Sequence, residues 1–257
     1  LDDGDHLVAI RAIDAAGNID ASPASVQWQI DTVAPETQIA HGPASTTNQT
    51  SATFVFTGSD LGGAGITAFE CALDDQSFST CSSGIIYINL VDGGHTFRVR
   101  AIDAAGNIEP DPTVYSWVID TTEPDTLIDA QPGAYVNVAN ASFGFSSTKN
   151  GSSFACSLDG APFSACTSPM TYSSLADGSH TFMVYATDSI GNIDTTPASV
   201  TWWIDTGPAS VAISSIASPT NSTSAHFTFS SNKANSVFEC ALDGGIFVTC
   251  SSPLEYA

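Results

Sequence analysis

Polar and apolar residues alternate with period two in three stretches of near-identical sequence. Their apolar positions are Val8/Ile10/Ala12, Phe97/Val99/Ala101 and Phe182/Val184/Ala186. Period two is the mark of a strand with one buried face. Each stretch begins at a histidine (His6, His95, His180) and ends in an Asp-x-x-Gly-Asn-Ile-Asp/Glu segment: Asp14 to Asp20, Asp103 to Glu109, Asp188 to Asp194. Gly and Asn suit the positive φ of a hairpin turn. A second alternating run follows, with Trp28/Ile30, Trp117/Ile119 or Trp202/Ile204 on one face. The pattern predicts one β-hairpin, written three times.

The first aspartates of the turn lie 103 − 14 = 89 and 188 − 103 = 85 residues apart, so the chain is a tandem array. The linkers Asp31-Thr-Val-Ala-Pro35, Asp120-Thr-Thr-Glu-Pro124 and Asp205-Thr-Gly-Pro208 follow the hairpins. Proline restricts the residue before it to extended conformations, so these linkers are expected to be stiff. Further strand-like runs come next: 37–40, 127–129 and 211–213, then Phe54/Phe56, Phe143/Phe145 and Phe227/Phe229. A cysteine hairpin and a strand around Tyr87, Tyr172 or Tyr256 complete the unit.

About seven short strands per repeat, with a turn roughly every 8 to 12 residues, are the pattern of an Ig-like sandwich. The fold class expected is all-β, tandem Ig-like β-sandwich domains of about 85–89 residues as beads on a string. Residues 32–120 and 121–205 read as complete repeats, 1–31 as the last two strands of a repeat, and 206–257 as the beginning of one. Joined tail to head, 250–257 plus 1–6 matches 166–180, with a Cys-to-His spacing of 13 against 14. Two readings follow. The chain is a window of a longer array, or a subunit whose N-terminal hairpin completes a neighbouring copy by strand addition, giving a head-to-tail filament.

Charge narrows the partners. Five Lys+Arg stand against 27 Asp+Glu, a formal net charge of −22. Such a surface repels phosphate backbones and anionic lipid, which argues against nucleic-acid and membrane-surface binding, and it attracts divalent cations. With 42% hydrophobic and 12% charged residues the chain is no candidate for disorder. No apolar run has the length of a membrane span, and neither a signal peptide nor an initiator Met is present, so a mature product or an internal window is expected.

Cys71/Cys81, Cys156/Cys166 and Cys240/Cys250 share a spacing of ten. Zinc draws four ligands, usually from closer pairs, and no second Cys or His pair accompanies these. A disulfide across each hairpin is the better reading, contributing about 2–3 kcal/mol per repeat and pointing to a secreted or cell-surface protein. Sequons at Asn48, Asn140, Asn150 and Asn221 are candidate glycan sites.

The Asp-x-x-Gly-Asn segments carry two readings. One is calcium, held by Asp14, Asn18 and Asp20, by Asp103, Asn107 and Glu109, or by Asp188, Asn192 and Asp194, joined by linker Asp31, Asp120 or Asp205. The other, favoured here, is turn chemistry, since the full spacing of an EF-hand loop is absent. No cofactor is expected to be required, and Ca²⁺ is the one candidate. His6, His95 and His180 read as hydrogen-bonders at strand starts. Trp28, Trp117 and Trp202 read as core residues, and Trp203 on the opposite face as a possible sugar-stacking platform. No triad, phosphate loop or carboxylate pair stands apart from the repeat, so no enzyme is expected.

The strings Cys-x-Leu-Asp-Gly, Ala-Asp-Gly-Ser-His-Thr-Phe and Asp-Ala-Ala-Gly-Asn-Ile-Asp, with Asp-Thr-x-x-Pro linkers, resemble the Ig-like repeats of bacterial adhesin-type surface arrays. The resemblance covers essentially the whole chain and implies a stalk, extender or fibre, in some relatives with Ca²⁺ at the joints. Repeat 32–120 departs from it, with Leu73-Asp-Asp-Gln in the cysteine hairpin and a glycine-rich insertion from Gly58 to Gly65. The function expected is structural; the alternative is an adhesin or carbohydrate-binding extender of a larger surface protein or enzyme.

Overall fold

A computed structural model describes residues 1–214 and 216–257. The described residues contain strands and turns and no α-helix. The chain divides into two compact units. The first comprises Leu1–Leu127, Ser147–Ala155 and Val184–Pro197; the second comprises Ile128–Ser146, Cys156–Met183 and Ala198–Ala257.

The first unit opens with β1 (Gly4–Ile10) and β2 (Ala24–Ile30), which pair antiparallel. The strands that follow are β3 (Glu36–His41), β4 (Thr46–Thr47), β5 (Ala52–Ser59), β6 (Ile66–Leu73), β7 (Ser79–Cys81), β8 (Ile85–Tyr87), β9 (Gly93–Asp103) and β10 (Thr113–Ile119). They form a three-stranded sheet β3-β5-β8 and a five-stranded sheet β4-β10-β9-β6-β7. Alternation sets the core: along β9, His95, Phe97, Val99, Ala101 and Asp103 are all buried and the residues between them are not. Phe97 stacks on Phe54 of the facing sheet at 4.0 Å between centroids, and Trp117 lies 5.2 Å from Phe54. Burying each Phe contributes about 2–3 kcal/mol, with about 0.5–1.5 more from the ring pair.

The second unit carries most of a second sandwich. Its strands are β11 (Thr126–Ala130), β12 (Tyr135–Val136), β13 (Ala141–Ser147), β14 (Ser153–Leu158), β15 (Ser164–Cys166), β16 (Met170–Tyr172), β17 (Gly178–Thr187) and β18 (Ala198–Ile204). The sheet orders β11-β13-β16 and β12-β18-β17-β14-β15 repeat those of the first sandwich. Phe143 stacks on Phe182 at 4.1 Å, and Trp202 is 5.1 Å from Phe143. Six short strands complete this unit: β19 (Val211–Ile213), β20 (Ala225–Phe227), β21 (Phe229–Ser231), β22 (Phe238–Cys240), β23 (Val248–Cys250) and β24 (Leu254–Tyr256). They pair as β19-β21, β20-β24 and β22-β23. Between them lies an apolar groove of about 330 Å³, lined by Val211, Phe227, Phe229, Phe238, Leu254 and Tyr256 among others.

Two expectations change. Each sandwich has eight strands, because a two-residue parallel strand (β4 or β12) lies along β10 or β18. Two residues are too few to show a period. Trp117 and Trp202 are buried, but Trp28 is 38% exposed, since among the described residues β1 and β2 pair only with each other and no second sheet faces them.

Candidate functional site

The residues that recur outside the core converge on the joints between repeats. Isolated bridges (Ile13 to Ile19, Ile102 to Ile108, Thr187 to Ile193) hold each Asp-x-x-Gly-Asn turn. Within it the aspartate carboxylate accepts the backbone N–H of the asparagine at 2.8 Å in all three copies. The asparagine Nδ2 donates to the other carboxylate oxygen at 2.7–2.9 Å. These bonds lower the Asp14 and Asp103 pKa values; at Asp103 they outweigh the opposing effect of burial. Gly17, Gly106 and Gly191 take positive φ, whereas Asn18, Asn107 and Asn192 do not. The asparagine is there for its amide. Asn107 Nδ2 also donates to the linker carbonyls of Asp31 (3.1 Å) and Val33 (3.3 Å), and Asn192 Nδ2 to that of Asp120 (2.9 Å).

The last residue of the motif lies apart from the first. Glu109 accepts the N–H groups of Thr37 and Ala101. Asp194 accepts those of Thr126 and Thr196, and Asp20 that of Ser22. The twelve candidate calcium ligands are thus not gathered as three equal sets. Asp31 and Asp103 do come together, with Asp60 as the third carboxylate. At the next joint Lys149 Nζ lies 2.9 Å from Asp120 Oδ2 and 2.9 Å from Asp188 Oδ2, and it also donates to the Thr122 carbonyl. Burial disfavours the Asp188 carboxylate, yet Lys149 and the Asn192 and Ile190 donors more than reverse this and hold its pKa at about 2. At the following linker Lys233 Nζ contacts Asp205 Oδ1 and the Gly207 carbonyl.

A second recurring tie escaped sequence reasoning. The aspartate of Asp-Gly-x-His (Asp3, Asp92, Asp177) accepts both the N–H and the hydroxyl of the linker threonine (Thr32, Thr121, Thr206). The histidine serves the same framework. His95 places Nδ1 3.0 Å from Asp74 and Nε2 2.8 Å from the Val91 carbonyl; His180 does so with Asp159 and Ala176. Both ring nitrogens therefore face acceptors, which suits the imidazolium. The signal for Asp74 and Asp159 was present in the recurring Cys-x-Leu-Asp string. That for Lys149 and Lys233 was their common place six residues after Phe143 and Phe227.

The cysteines form disulfides Cys71–Cys81, Cys156–Cys166 and Cys240–Cys250, with Cα separations of 5.7, 5.8 and 5.9 Å. Asn140, Asn150 and Asn221 are exposed; Asn48 is half-buried. Trp203 is 47% and Tyr135 83% exposed, and the two are register partners in the sheet. They line a groove with Asn137, Asp205 and Lys233.

No protein-family model matches the chain. Over 114 residues it is 36% identical to Halomucin of Haloquadratum walsbyi; this covers 39% of the chain, which spans only 1% of that relative's length. The fibronectin(III)-like modules of Clostridium thermocellum CbhA share 16% identity with it (65% of this chain, 93% of that one, TM-score 0.36). A 1.5-MDa bacterial ice-binding adhesin shares 15% (68% and 66%, TM-score 0.42). A tetra-tandem repeat from the extending region of a large adhesion protein shares 18% (99% and 72%, TM-score 0.31). On its own strand orders, repeated in two successive sandwiches, the chain is a tandem array of Ig-like β-sandwich repeats.

Proposed function

We propose that the chain is a non-catalytic extender of an extracellular or cell-surface protein, a stalk or fibre segment. The observation that carries this reading is the joint itself. Thr121 tied to Asp92, the Asp120 carbonyl to Asn192 and the Asp120 carboxylate to Lys149 all fasten the linker to flanking sandwiches, and the first two ties recur at Asp31–Thr32. Side chains spent on holding successive repeats are those of a spacer. Three disulfides fit an oxidising compartment. Small-angle scattering tests it: the full chain should give a rod-like distance distribution, and Asp92→Ala with Asn192→Ala should broaden it toward a flexible chain. A wild-type distribution already that of freely jointed domains would refute the reading.

The apolar groove of residues 211–256 also supports lengthening of the array. In the second sandwich the equivalent face is covered by Phe182 and Trp202 of the β17–β18 hairpin. A hairpin of that kind, from a longer parent chain or from β1–β2 of a second copy with its exposed Val8, Ile10 and Trp28, would fill the groove. Filaments of purified chain in electron micrographs would favour the second copy; monomers at micromolar concentration would refute it.

One observation favours binding as a second reading. The Tyr135/Trp203 pair is exposed in one sandwich only, its counterparts in the first being Thr46 and Val118. Two exposed rings beside Asn137 and Asp205 suit the apolar face and hydroxyls of a sugar. A Trp203→Ala variant that binds glycans as wild type does would exclude it.

A further inference from the structure

The two lysines of this chain, Lys149 and Lys233, stand six residues after Phe143 and Phe227. The same count from Phe54 reaches Asp60. At the second and third linkers this position therefore places an ammonium against the linker aspartate, and against the +2 linker carbonyl (Thr122 or Gly207). At the second, the turn aspartate Asp188 joins them. At the first linker the same position supplies a third carboxylate instead. Oxygens of Asp31, Asp60 and Asp103 lie within 4.8 Å of one another, with Asp103 buried.

We infer that Asp31, Asp60 and Asp103 form a divalent-cation site for calcium, in the place that a lysine ammonium takes at the later joints. Two independent observations point to a ligand. First, the equivalent carboxylates Asp120 and Asp188 both hold a cation, at 2.9 Å each. Second, Asp60 Oδ1 is shielded from solvent and has no hydrogen-bond partner, although its other oxygen accepts the Gly65 N–H at 2.8 Å. A buried carboxylate oxygen left unpaired beside two further carboxylates is unfavourable without a positive charge.

The glycine-rich insertion makes the arrangement reachable. The Ala64 N–H reaches Asp31 Oδ2 at 2.7 Å, and a Cβ on Gly63 would fall 2.2 Å from Asp60 Oδ1, so a side chain there would push the carboxylate aside. The donors are hard carboxylate oxygens from three chain segments. That set suits Ca²⁺, which accepts many oxygens in flexible geometry, better than Mg²⁺, which holds its waters, or Zn²⁺, which prefers nitrogen and sulfur. The assignment stands independently of what the array carries.

The test is calorimetric titration of chelator-treated full-length chain with CaCl₂, in enough KCl to screen the acidic surface. Wild type should show one saturable site, with a Kd on the order of 0.1–1 mM or tighter. Ca²⁺ should also slow amide exchange at Ala64 and Gly65. Asp60→Lys, which installs the cation covalently, should lose the site and keep that loop protected in EDTA. The isosteric Asp60→Asn should bind at least about tenfold more weakly, having lost one charged ligand. Absence of saturable binding up to ~10 mM Ca²⁺, or wild-type affinity in Asp60→Asn, overturns the assignment.

Discussion

Lys149→Met removes the ammonium and keeps most of the aliphatic stem. The Asp188 side chain is 4% exposed, that of Lys149 25% and that of Asp120 36%. A fully buried pair broken on one side loses about 3–5 kcal/mol, an exposed one about 0–1. Holding Asp188 at about 2 against an ordinary 3.8 corresponds to roughly 2.5 kcal/mol shared among Lys149, the Asn192 donors and the Ile190 N–H, net of burial. Water reaching Asp120 softens its part, so the expected loss is about 2–3 kcal/mol. Amide exchange in β17 reads this locally: protection at pH 7 should fall about 30- to 150-fold, if exchange proceeds through unfolding of that repeat. The sign with pH is fixed. A depressed carboxylate pKa stabilises above pH 3.8, and its contribution disappears as pH falls through about 2. The difference between variant and wild type should therefore shrink on acidification toward pH 2. A loss below about 0.5 kcal/mol, or one that stays constant down to that pH, would show that the ammonium is not what holds this joint.

Three further outcomes are expected. Hydrogen bonds from His180 to the Ala176 carbonyl and Asp159 raise its pKa, and His95 is raised likewise by Val91 and Asp74 against burial. Their stabilisation is complete below pH 6.5 and lost as pH rises through the elevated values. Melting temperature should therefore drop from pH 6 to pH 8.5, and His180→Gln should flatten that slope. Replacing Cys156 and Cys166 together by Ser should cost about 2–3 kcal/mol in urea unfolding, because the closed loop is short. With a net charge of −22, raising NaCl from ~0.05 to ~0.5 M should raise the unfolding midpoint as self-repulsion is screened.

The hairpins and the core were legible because alternation reports burial directly: Phe97, Val99 and Ala101 needed no partner to be placed. The joints were not. Asn107 meets the linker 76 residues earlier and Asn192 meets it 72 residues earlier, distances at which pairing leaves no local pattern. Recurrence marked these residues as important, and turn chemistry explained the carboxylate and the glycine; it assigned the asparagine a positive φ that it does not take and left its amide unexplained. Lys149 in a Ser-rich loop looks like an ordinary solvated charge. Only the count from each phenylalanine aligns it with Lys233 and Asp60. Asp60 lies within the glycine-rich insertion, where repeat comparison stops.

The disulfide hairpins have a mechanical consequence. Under tension a sandwich that opens releases its chain end to end, but the ten steps from Cys71 to Cys81 stay pinned at a Cα separation of 5.7 Å. Those steps would otherwise extend to about 35 Å. Each repeat is therefore about 30 Å shorter when pulled out than its residue count implies, roughly a tenth of its length. The bond caps how far a stretched strand lengthens, and a reductant would release that slack without breaking the covalent backbone.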